Sequence, residues 1–167
     1  QSESGVWHVR TMRGWLALEV GDLDTAQSLM EACLDDQMYA LPFHCTVLHA
    51  QLCLLHLDRR DLGHAELHAE RARAQAAGRP GGLAEQVAWL SDAVWRLAAD
   101  HPGAEEALDR VLALGSHGRM EELVAHYRAL SNGEGSAIAV AGVHQRISEW
   151  LQTREVSRAP GSSAPDP

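Results

Sequence analysis

Apolar residues recur at three- and four-residue steps along most of this chain, and long alternating runs of Val, Ile and Thr do not occur. Val6, Val9, Met12, Leu16 and Val20 fall on one side of a helix, and Trp7, Trp15 and Leu18 add apolar surface beyond that stripe. A helix apolar on more than one side is expected to lie between neighbours. Gly21-Asp22 ends it, and a second pattern runs from about 24 to 34. A third, about 43 to 58, is strongly apolar through Val47, Leu48, Leu52, Leu54, Leu55 and Leu57. Pro42 stands just before it, where a first helical turn needs no N–H. The fourth pattern, about 62 to 77, carries Glu66, Glu70, Arg71 and Arg73 on its outer face. Gly78-Arg79-Pro80-Gly81-Gly82 breaks the chain before a fifth, about 83 to 99, with Val87, Leu90, Val94 and Leu97 inward. A sixth covers 104 to 114, a shorter pattern follows at about 120–130, and a final one at about 137–155. The reading is all-α, with a frayed segment at 1–5, a helical-repeat domain over 6–155 and a Pro/Ser-rich tail at 156–167 too polar to pack.

The turns repeat. Asp22, Asp61 and Asp100 stand 39 residues apart, and each precedes a small residue by four: Ala26, Ala65 and Ala104. A constant period in this range marks stacked helix pairs, because one pair alone leaves its apolar face exposed. The three alanines are expected where the two helices of a pair approach most closely, since a larger side chain would force them apart.

On these residues the chain resembles the tetratricopeptide repeat (TPR) family. The first copy reads Gly14 … Ala17-Leu18 … Gly21-Asp22-Leu23-Asp24-Thr25-Ala26 … Met30 … Cys33-Leu34, the second Leu52-Cys53 … His56-Leu57 … Asp61-Leu62 … Ala65 … Ala69 … Ala72, and the third Ser91-Asp92 … Trp95 … Asp100 … Ala104 … Leu108 … Val111. The period is 39 instead of the family's 34, the first-helix Gly survives only as Gly14, and Arg10 stands where the family's Trp is usual. Such degenerate arrays are similar to those of large bacterial transcription activators. The resemblance implies a right-handed solenoid of helical hairpins, about three repeats plus a C-terminal helix pair or cap. It also implies a concave groove lined by the first helix of each pair. Carried over by position, the groove would be lined by His8, Trp15, Leu18, Glu19, Leu54, Asp58, Trp89 and Arg96. That lining lacks the basic clamp of a carboxylate-tail binder. It implies a peptide, a protein segment or a small apolar effector as ligand, held by the sensor or interaction part of a bacterial regulator.

Composition narrows the classes. With 14 Lys+Arg against 23 Asp+Glu the net charge is −9, which repels a phosphate backbone and argues against direct nucleic-acid binding. No apolar run approaches the roughly 20 residues of a membrane span. Cys33, Cys45 and Cys53 have no scaffold spacing and are expected to be reduced thiols, which points to the cytoplasm.

Ser28, Ser91 and Ser131 lack the Gly-flanked turn of hydrolases, and Gly81-Gly82 follows no strand, so neither an enzyme nor a cofactor is expected. The sharpest alternative is His49, Cys53 and His56, at steps of four and three on one helix face, a spacing compatible with a transition metal. Packed core positions explain the same three residues. His64 and His68 read as part of a solvated face. The other alternative is a scaffold that self-associates, as a homodimer, with no groove ligand.

Overall fold

The computed structural model of the protein describes residues 3–36, 41–78 and 82–114, and every regular element in them is a helix. These are α1 (Glu3–Glu19), α2 (Leu23–Asp35), α3 (Pro42–Asp58), α4 (Leu62–Ala76), α5 (Leu83–Ala98) and α6 (Ala104–Ala113). Five of the six expected helices end within a residue or two of their expected bounds, and α1 begins three residues early. The patterns at 120–130 and 137–155 and the tail at 156–167 lie outside the described residues.

The turns show why the helices start and stop where they do. At the end of α1, Gly21 has φ 80°, its N–H bonds to Leu18 O and the N–H of Asp22 to Ala17 O at 2.9 Å. This is the Schellman arrangement, in which one residue in the left-handed region satisfies the last free carbonyls. The same pair of bonds closes α3, with Arg60 (φ 59°) and Asp61, and α5, with Asp100 (φ 57°) and His101. Asp22 and Asp61 then start the next helix: each carboxylate accepts the backbone N–H three residues on, from Thr25 and His64.

The third turn departs from the 39-residue register. Asp100 takes the left-handed position held by Gly21 and Arg60, and His101 stands next to it where Asp22 and Asp61 stand in the other turns, but its Nδ1 accepts the N–H of Gly103 at 3.1 Å and not one of the helix. Pro102 and Gly103 lengthen the turn, and Gly103 is the residue that caps α6. The close-approach residue shifts accordingly. Ala26, Ala65 and Ala107 each donate their N–H to the capping carbonyl, of Asp22, Asp61 and Gly103, and all three are buried. Ala107, not Ala104, is therefore the structural counterpart of Ala26 and Ala65.

The helices pair in chain order as hairpins α1/α2, α3/α4 and α5/α6. α3 lies at the centre, packed on both α4 and α5, and α4 packs on α5, whereas α2 touches α3 only lightly. This explains why α3 is apolar all round: Leu48, Leu52, Leu55 and Leu57 are fully enclosed. Each such leucine contributes about 1.5–3 kcal/mol on burial.

On α1 the expected stripe faces the wrong way for a buried helix. The side that packs is Trp7, Thr11, Gly14 and Leu18, with Trp7 Nε1 donating to Cys33 O at 3.0 Å. Gly14 lets α2 come close, since a Cβ there would stand 3.3 Å from Met30 Cγ. The Val6 to Val20 stripe lies on the opposite side, in solvent.

Candidate functional site

The residues expected to line a groove have varied surroundings. Leu18 and Leu54 are only 3% and 6% exposed and belong to the core, so they offer no surface to a ligand. Position in the repeat places them in the groove, but the apolar faces of α1 and α3 turn them inward. His8 is exposed beside the His44 ring, with centroids 5.8 Å apart. Trp15 is half-buried and its enclosed Nε1 has no hydrogen-bond partner among the described residues. Asp58 and Glu19 sit in the last turns of α3 and α1.

Trp89 and Arg96 serve a network between α4 and α5. Asp92 is 2% exposed, and its carboxylate accepts from Arg96 Nε at 2.8 Å and lies 3.5 Å from Arg73 Nη1. The Arg73 guanidinium lies over the Trp89 ring, 4.4 Å from its centroid. A buried carboxylate needs such partners, so Arg96 is engaged within the protein. A cleft of about 410 Å³ opens beside it, with Glu70, Arg73, Glu85 and Trp89 in its walls.

The densest titratable group joins α3 to α4. His49 and His56 are seven residues apart and His64 and His68 four, which sets each pair on one face of its helix. The rings interleave as His49, His68, His56, His64. His49 and His68 share a hydrogen bond, Nδ1 to Nδ1 at 3.0 Å. His68 stacks on His56, with centroids 5.4 Å apart and planes at 11°, and His56 stacks on His64 at 5.1 Å.

Burial disfavours the imidazolium and pushes His49 down to about 4 and His68 to about 3, with nearby Arg71 acting in the same direction on both. His56 is lowered too, by burial, against the opposing pull of Asp61. A cavity of about 820 Å³ lies alongside, walled by Glu31, Asp35, Cys45, His49, His68 and Arg71. The sequence pattern places His68 on a solvated face. It is buried instead, because α4 turns it towards His49.

The metal candidates His49, Cys53 and His56 do not converge. Cys53 Sγ faces α5, donating to Ser91 O at 3.6 Å, and complete burial pushes its thiol far above its ordinary value. His49 is taken up by His68. Among the described residues a different trio comes together: His56, Asp61 and His64, each offering a ligand atom within 4.8 Å of the others. Asp61 Oδ2 lies 2.7 Å from His64 Nδ1 and 3.7 Å from His56 Nδ1. The backbone N–H of His64 on its carboxylate, above all, holds Asp61 below its usual range. A search for ligands along one helix misses this trio, which spans a helix end, a turn and the next helix start. The available signal was His56 five residues before Asp61 and His64 three after it. Comparison with protein-family models, curated proteins and solved structures yields no match for this chain.

Proposed function

We propose that this protein is a helical-hairpin interaction module, organised like a TPR solenoid, that binds an amphipathic helix of a partner protein on the outer face of α1. One observation carries the reading. Val6, Val9, Met12, Leu16 and Val20 lie along that face with exposures of 44%, 60%, 53%, 65% and 72%. Scattered surface apolar residues are ordinary, but five at helical spacing form a continuous stripe of the kind that helix-in-groove partners cover. Affinity would come from burying Leu16 and Met12 at the centre of the stripe, with Arg13 beside them favouring an acidic flank on the partner.

The sequence resemblance to the arrays of bacterial transcription activators supports a place in the interaction part of a regulator, without catalysis. A small apolar effector has less support, since the walls of the 820 Å³ cavity are rich in titratable groups. The test is site-specific photo-crosslinking from position 13 in host cells, repeated with Val9→Glu and Leu16→Glu together. A heteromeric adduct that the double variant reduces at least tenfold, at unchanged helical circular dichroism, is the expected result. An adduct that survives the double variant, or one formed only with a second copy of the chain, overturns it; the second outcome would make the stripe a self-association surface.

A further inference from the structure

We propose that His56, Asp61 and His64 form a binding site for a divalent transition metal of the zinc class at the turn joining α3 to α4. His56 carries the argument. It is 4% exposed, and neither ring nitrogen has a hydrogen-bond partner among the described residues. A buried polar group left this way costs free energy and calls for an explanation. Its Nδ1 lies 3.7 Å from Asp61 Oδ2, too far for a hydrogen bond. Two ligand atoms on one tetrahedral zinc, with bonds of about 2.0–2.2 Å, stand about 3.4 Å apart. The observed gap is within a few tenths of an ångström of that spacing.

The other two ligands are prepared in different ways. Asp61 is held by its capping role: Oδ1 accepts the His64 backbone N–H at 3.1 Å, which leaves Oδ2 to face the two rings. His64 has a side chain 64% exposed, so its ring is free to turn and the ion has a route from solvent. Binding would replace the His64 Nδ1 to Asp61 Oδ2 hydrogen bond with two metal bonds, Nδ1 giving up its proton where it carries one. Two imidazoles and one carboxylate suit a borderline ion, whereas Mg²⁺ and Ca²⁺ prefer oxygen alone. The fourth position is left for water. Such an ion would clamp the last turn of α3 to the first turn of α4. A purely structural role explains Asp61 and His64 as a helix cap, but leaves both nitrogens of His56 unaccounted for.

The experiment is calorimetric titration of the full chain, stripped with a chelator, with Zn²⁺ alone. The wild type is compared with His64→Gln, Asp61→Asn and His8→Gln. Asn retains the cap, and His64 and His8 are exposed, so none of these changes threatens the fold. One Zn²⁺ per chain is expected, with affinity reduced at least tenfold in His64→Gln and Asp61→Asn and unchanged in His8→Gln. Long-range nitrogen–proton NMR should show Nδ1 of His56 and His64 shifting with one equivalent of metal. No binding by the wild type at tens of micromolar Zn²⁺ would overturn the proposal, as would equal affinity in His64→Gln.

Discussion

His49 and His68 meet through a single hydrogen bond between like atoms, so one Nδ1 donates and the other accepts, and both rings pack as neutral groups. The consequence is acid sensitivity of a definite sign. In the unfolded chain each histidine takes up its proton near pH 6.5, whereas in the folded protein this waits until about 4 for His49 and about 3 for His68. Between those values the unfolded state binds more protons, so stability present above pH 6.5 drains away as pH falls. Each ring removes about 2 kcal/mol between pH 7 and pH 5. Neighbouring His56 and Arg71 disfavour further charge at this place, so they act with the trend. Urea unfolding at pH 7, 6 and 5 should show the midpoint dropping at each step; a flat profile would mean that the pair is solvated or charged in the native state. Nothing in the sequence marked this pair, because its two members lie 19 residues apart on different helices.

At the scale of elements, the turns within the three hairpins solve one problem with three residues. Gly21 adopts the left-handed region freely, while Arg60 and Asp100 occupy it at a steric cost of about 1–2 kcal/mol each, offset by the Schellman bonds they allow. Counting aspartates could not reveal that Asp100 is doing the work of Gly21 instead of that of Asp22. A one-residue slip leaves the 39-residue spacing in the sequence intact and changes the residue that caps α6. The small residue that matters on α6 is thereby Ala107, which is 1% exposed and faces α5. Ala107→Leu should destabilise the protein by about 1–3 kcal/mol through overpacking, a cost comparable to Ala65→Leu. Denaturant unfolding of the two variants would check this, and a neutral Ala107→Leu would return the close approach to Ala104.

For the whole molecule, α3 is the hub and the first hairpin is the outlier. α3, α4 and α5 pack mutually, whereas α1 and α2 hold mainly to each other and meet α3 through limited contacts such as Trp7 against His44 at 5.2 Å. Local stability follows the density of buried contacts. Amide hydrogen exchange should therefore find α1 and α2 opening ahead of α3, with protection falling by at least tenfold from Leu52–Leu55 to Met30–Cys33. Equal protection in both would indicate a single cooperative unit. The first hairpin is also the one that carries the exposed stripe, so partner binding on α1 and opening of this hairpin would be linked.

Helix identity, order and approximate ends were determined by the sequence itself. Apolar spacing, the aspartate caps and the Gly and Pro breaks are local signals, and local hydrogen bonds act on them directly. The strongly apolar character of α3 was also legible, but that it packs on both α4 and α5 was not. Tertiary structure alone decided which of two apolar faces on α1 is covered. Trp7 and Gly14 win over the valine stripe because they match the shape of α2 at Met30 and Cys33, and shape complementarity leaves no periodic trace. It likewise decided that Cys53 turns to α5 while His56 turns to Asp61 and His64. A helical repeat determines which residues share a face; the angle at which neighbouring helices pack determines which of those residues meet.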